Sequence, residues 1–356
     1  MQSPNYKFLI ISLFLFTLIS CKKGSENEIT SVEITPVFID DISVRALEPL
    51  DENRVFFAAS NGKIGLVDGD TPKLAVIKYT DSLLQFRSIA RTSEAAFVLS
   101  IASPAVLYKI GFDGTDATNI EMVYNEIGER VFYNSMKFWN DMEGIAIGDP
   151  IDDCMSIIIT RDGGNKWIKI PCESLPPAER GEAAFAASNS NIAIYGDNAW
   201  VATGGSKSRV MHTANKGKTW EVYDTPIIHG KAMTGIYSID FADENHGIVF
   251  GGNSENKPFK EKNKAITTDG GKTWETVLDG EEPAYRSSVK YIPGTKGLGV
   301  VAVGSPGGIS YSADGGKSWK LLSEEGFHAI EFVNDSIAFA SGENKISRLV
   351  FKKKKN

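Results

Sequence analysis

Short runs in which apolar and polar residues alternate recur along the chain, each broken by Gly, Asn, Asp or Ser. That period-two pattern, with turn residues between the runs, predicts strands and not helices. Six runs resemble one another: SVRAL (43–47), FRSIA (86–90), YNSMKF (133–138), IYSIDF (236–241), RSSVKY (286–291) and HAIEF (328–332). A second strand often follows and ends at Gly, as in GIAIGDP (144–150), GIVFGGN (247–253) and IAFASGEN (337–344). Similar phrases at near-regular spacing predict a repeat architecture in which each unit packs on its neighbours.

The first stretch of chain breaks the pattern. Lys7 precedes FLIISLFLFTLI, residues 8–19. Such a run is shorter than the roughly 20 residues of a membrane span and fits the core of a signal peptide. Leu18-Ile19-Ser20-Cys21 resembles a bacterial lipobox, which implies acylation of Cys21 and loss of residues 1–20. The alternative is an ordinary signal peptide with an incidental Cys. The expected layout is a leader over 1–20, a polar tether over 21–27, the repeat domain over 28–351 and a solvated basic tail over 352–356. An exported protein, lipid-anchored to the bacterial envelope on its periplasmic or surface face, follows as the expected location.

A turn motif marks the repeats more sharply than the strands do. Thr160-Arg-Asp-Gly-Gly-Asn-Lys-Trp167, Thr213-Ala-Asn-Lys-Gly-Lys-Thr-Trp220, Thr267-Thr-Asp-Gly-Gly-Lys-Thr-Trp274 and Ser312-Ala-Asp-Gly-Gly-Lys-Ser-Trp319 share one template. It reads Ser/Thr-x-Asp-x-Gly-x-Thr/Ser-Trp, with Asn215 in place of Asp and Lys166 in place of the late hydroxyl. Asp162, Asn215, Asp269 and Asp314 are expected to accept backbone N–H bonds and close the turn. Gly supplies positive φ, and each Trp opens the outgoing strand and buries a large apolar face. Asp68 and Asp113 sit in weaker copies without Trp. The six acidic or Asn turn positions 68, 113, 162, 215, 269 and 314 lie 45, 49, 53, 54 and 45 residues apart.

These boxes resemble the Asp-box, or BNR, repeat of sialidases and related β-propellers. The resemblance implies an all-β fold in which the box is a structural turn at the blade periphery. Counting units near 41–79, 83–124, 130–170, 181–224, 235–278, 285–322 and 326–351 predicts a single seven-bladed propeller. The last unit has three strands, and EITSVEITPVF (28–38) is expected to supply its outer strand and close the ring. Cys154 and Cys172 fall on either side of one box, so a disulfide and two buried free thiols are both open.

Composition narrows the function. The 356 residues are 42% hydrophobic, with 34 Gly and 10% aromatics, which suits a turn-rich β domain. With 38 basic against 45 acidic residues the net charge is −7, which excludes nucleic-acid binding by bulk charge. There is no CxxC, HExxH, Walker loop or nucleophile elbow, and the four His lack zinc-ligand spacing. Neither a metal nor a cofactor is expected, and the state expected in solution is a monomer.

The remaining signal is at the expected channel mouth, where the innermost strands begin. Aligned strand starts put Arg45, Arg87, Asn134, Tyr237, Arg286 and His328 at equivalent positions, and Glu182 at the place of Arg286 in the fourth unit. Three Arg at one mouth suit an anionic ligand, because guanidinium forks match carboxylates; polar groups that merely hydrate a channel are the alternative. GIVFGG followed by TTDGGKTW resembles the propeller family that includes the photosystem II assembly and stability factors. That implies a binding or assembly scaffold with an envelope protein or small anion as partner. A sialidase-like hydrolase, using the Arg residues with Tyr237 and Glu182, is the enzymatic alternative. An oxidoreductase without a recognisable cofactor motif is the third.

Overall fold

A computed structural model describes residues 28–354. The expected leader, the tether and Cys21 lie outside the described residues. The fold is an all-β propeller. Four sheets have four strands each and two have six, with one further two-stranded ribbon over Lys78–Tyr79 and Ser82–Leu83.

The blades form from the strand runs expected. Blade three, for example, is built from Tyr133–Phe138, Gly144–Gly148, Ser156–Thr160 and Ile168–Lys169, paired antiparallel in chain order. Its middle strands are buried on both faces, Ile157, Ile158 and Ile159 among them, because each sheet is sandwiched between two neighbours. Full burial of one such side chain contributes about 1.5–3 kcal/mol. The outermost strands are the exposed ones, such as Asp116–Glu126 of blade two.

The blade count is corrected from seven to six. The first and last sequence units are hydrogen-bonded into one six-stranded sheet, because the first strand pairs with the last strand along one part and with a strand of its own unit along the other. The first, Ile29–Pro49, has 21 residues; the last, Ile337–Lys353, has 17. Their registers run from Ile29↔Lys353 to Ser43↔Glu343, after which the first strand pairs with Arg54–Ala59. The tail is corrected too: Lys352 and Lys353 are strand residues, ion-paired with Glu33 at 2.8 Å and Asp335 at 2.5 Å.

Blade four holds a third correction. Its innermost strand is Ile192–Tyr195, not the segment around Glu182. Glu182–Ala183 pairs instead with Gly204–Gly205 and joins the six-stranded sheet of blade five. Between them, residues 184–191 form no strand and are buried throughout. This segment, AFAASNSN, plugs the axis. Asn189 Nδ2 donates to the Ile89 carbonyl at 2.7 Å, and Met136 N donates to Asn189 Oδ1 at 3.0 Å. Ser188 Oγ donates to the Ser287 carbonyl at 2.5 Å, and Ser190 Oγ donates to Ser238 Oγ at 2.8 Å. Four other blades thus grip one segment of small side chains.

Candidate functional site

The plug forms the floor of a cavity of about 490 Å³ at one mouth of the axis. The structure brings Arg45, Arg87, Tyr237 and His328 to its walls. Arg45 comes from the first strand, where its pairing passes from the last strand to Arg54–Ala59, and Arg87 comes from the start of Phe86–Arg91. Arg45 Nη1 donates to the Ala187 carbonyl and Arg87 Nη1 to the Ala186 carbonyl, both at 3.3 Å. Arg45 Nε is buried without a partner. Burial lowers the pKa of both guanidiniums, that of Arg87 to about 10 with Arg45 adding repulsion, so both stay charged at neutral pH.

Two further residues shape the charge, and neither was expected from the sequence. Lys257 lines the cavity and donates to the Ser305 carbonyl at 2.7 Å. Asp149 also lines it, but Asn134 Nδ2 and Ala184 N each donate to its carboxylate at 2.9 Å. Burial raises its pKa all the same. Asn134 therefore acts behind Asp149 and not as a wall of the cavity. His328 is pushed down to about 3, first by burial and then by repulsion from Arg45, Lys257 and Arg87, so it is neutral at pH 7. Cations dominate the mouth.

The opposite wall is aromatic. Phe185 of the plug stacks on Tyr237 with ring centroids 4.1 Å apart, and Tyr285 meets Tyr237 edge-on at 4.9 Å. Tyr237 Oη donates to the Met233 carbonyl at 3.0 Å, and burial pushes its pKa up to about 12. A phenol so held is a poor nucleophile at neutral pH.

Two expected site residues lie elsewhere. Arg286 donates to the Tyr285 carbonyl at 2.9 Å and to Ser310 Oγ at 2.8 Å, and it faces a neighbouring cavity of about 480 Å³ that shares Lys257. Glu182 is ion-paired with Arg209 at 2.5 Å and accepts a bond from Thr203 Oγ1 at 2.5 Å. Tyr237 and Glu182 are not brought together, which removes the geometric basis of the sialidase-like pairing. Among the described residues, no group of three His, Cys, Asp or Glu is placed to hold a metal ion.

The boxes stand at the blade periphery and their side chains are spent on the turn. Thr273 N and Thr273 Oγ1 donate to the two carboxylate oxygens of Asp269 at 2.9 and 2.6 Å, and Thr267 Oγ1 donates at 2.8 Å. Trp274 Nε1 donates to the Gly271 carbonyl at 2.9 Å. The two departures keep the geometry: Lys166 N donates to Asp162 at 3.0 Å, and Thr219 N donates to Asn215 at 2.9 Å. Gly164, at φ +76°, could carry no Cβ in any case, since it would lie 2.2 Å from the Phe97 ring. Cys154 and Cys172, on either side of the first box, are joined as a disulfide with Cα atoms 5.5 Å apart.

A charge-lined, self-plugged mouth thus sits among box-bearing blades of a β-propeller. The BNR/Asp-box repeat family matches at residues 265–276, the box that ends in Trp274. The chain is thus a β-propeller carrying BNR/Asp-box repeats. Among solved structures it is similar to YCF48 bound to D1 peptide, with a TM-score of 0.65 and 14% identity over 92% of this chain and 98% of that one. YCF48 from Cyanidioschyzon merolae gives 0.59 and 14% over 90% and 98%. The WD40 β-propeller domain of Doa1 gives 0.62 and 12% over 91% and 98%. No curated protein matches the sequence.

Proposed function

We propose that this protein is an envelope-anchored binding propeller whose mouth receives an acidic segment of a protein partner, in an assembly role. The observation that carries the reading is the pair Arg45 and Arg87. Each gives one hydrogen bond to a plug carbonyl, so most of its five donors remain for a ligand. The aromatic wall of Tyr237 and Phe185 suits the apolar part of a peptide better than a bare anion. The similar propeller YCF48 is known in a structure with D1 peptide, which supports a peptide as the class of partner.

Two finer elements belong to the same reading. Cys21 carries the lipid, and the pairing of the first and last strands fastens the ring by joining the two chain ends. The experiment is cross-linking in intact cells followed by affinity capture from solubilised envelope. Arg45→Glu with Arg87→Glu loses the acidic partner that the unmodified protein captures, and Cys21→Ala loses fatty-acid label and membrane retention. Capture of the same partner by the double variant contradicts the mouth as its site.

A further inference from the structure

From blade three to blade six, each box drops an indole into the seam with the preceding blade. Trp167 lies edge-on to Phe138 of its own blade at 5.7 Å and to Phe97 of blade two at 6.4 Å. Trp274 meets Phe241 of its own blade at 6.1 Å, and Trp319 meets Phe250 of blade five at 5.7 Å. Blade two breaks the rule. Its turn pairs Asp116 directly with Asp113, and Thr118 stands five places after Asp113, where the other boxes have Trp.

The seam between blades one and two holds a cavity of about 230 Å³. Phe56 lines it, and Phe56 is the counterpart of Phe97: Phe56 pairs with Glu48 and Phe97 with Ala90, each one residue from the strand's final pair. Phe112 fills part of the seam, with its ring 5.2 Å from that of Phe56. The space left is still ample for a ring, since a cavity of roughly 150 Å³ holds benzene.

We propose that this seam is a docking site for a tryptophan side chain of a protein partner, which supplies the indole that the second box lacks. The side chain's chemistry follows from the seams of blades three to six, where an indole occupies the corresponding place. Thr115 and Asp116 at the rim supply acceptors for the indole N–H, a role that the Gly271 and Gly316 carbonyls play for Trp274 and Trp319. A protein fits better than a free small molecule for two reasons. Leu74 and Ile120, 47% and 46% exposed, extend the apolar surface beyond what one indole covers. The Lys73–Asp116 ion pair, 2.6 Å long and exposed, offers a donor and acceptors to the peptide groups flanking the Trp.

The test is a titration of the methyl-labelled full chain with the peptide acetyl-Gly-Gly-Trp-Gly-Gly-amide, followed by NMR. Saturable shifts of the Ile64, Leu66 and Ile110 methyls are expected, with none from the peptide bearing Ala in place of Trp. Ala117→Trp, which fills the seam from the chain itself, abolishes the shifts and raises Tm. Leu74→Asp at the rim weakens binding at least tenfold without a change in Tm, and it carries the comparison if Ala117→Trp does not fold. Arg45→Ala with Arg87→Ala leaves the titration unchanged. Absence of saturable shifts, or shifts that persist in Ala117→Trp or Leu74→Asp, overturns the proposal. So does free indole binding as tightly as the peptide, or Leu74→Asp losing affinity for phosphatidylglycerol vesicles while the peptide is silent.

Discussion

Arg45 Nη1 donates to the carbonyl of Ala187, 3.3 Å away and 142 residues further along the chain. That bond joins the first strand to the plug and sets the guanidinium over the axis. The plug thereby does two jobs, one in stability and one in the site: it fills the channel centre and turns the remaining donors of Arg45 and Arg87 toward the cavity.

Removal of the plug's central clamp therefore costs stability first. Asn189→Ala leaves the Ile89 carbonyl and the Met136 N–H without their partners. Each buried orphan costs about 1–3 kcal/mol, so a loss of about 2–6 kcal/mol is expected in urea unfolding. A midpoint equal to that of the unmodified protein shows that the plug is dispensable.

The boxes predict the opposite division of labour. Asp269→Ala removes the acceptor for Thr273 N–H and Oγ1–H, with an expected loss of about 0.5–2 kcal/mol by analogy with helix caps. Binding at the mouth stays intact. Unchanged thermal stability with lost binding reverses the assignment.

His328 predicts an acid-side weakness. Its folded pKa, about 3, lies below the ordinary 6.5, so the stability it contributes is complete above pH 6.5 and declines as the pH falls toward 3. One proton gives at most about 1.4 kcal/mol per pH unit, or about 2 kcal/mol by pH 5. His328→Gln is expected to flatten the stability profile between pH 6.5 and 5 by that amount. A variant profile parallel to that of the unmodified protein contradicts the account.

Local chemistry was legible in the sequence and long-range chemistry was not. The boxes were readable because Thr267, Asp269, Thr273 and Trp274 all act within one turn. Arg45, Arg87, Tyr237 and His328 were readable because they share a place at the start of similar strand runs. Glu182 was misplaced because GEAAF imitates such a run, whereas the AASNSN after it has no apolar alternation to mark a strand. Its small side chains are instead what allows the backbone onto the axis. The pairing of the N-terminal strand with the last unit was legible, because EITSVEITPVF has strand character and the last unit lacked a fourth strand; that the first and last units would merge into one sheet was not. Lys257 and Asp149 reach the mouth from loops whose course depends on the completed ring.

The most direct test of the central claim is fluorescence anisotropy of labelled penta-glutamate and penta-lysine peptides with the lipid-free domain. At low ionic strength, about 10 mM, where screening is weakest, the acidic peptide is expected to bind and the basic one not. Arg45→Ala with Arg87→Ala weakens the acidic peptide at least tenfold, and the difference shrinks as salt is added. Equal affinity for the two peptides, or acidic-peptide binding unchanged in the double variant, contradicts an anion-receiving mouth.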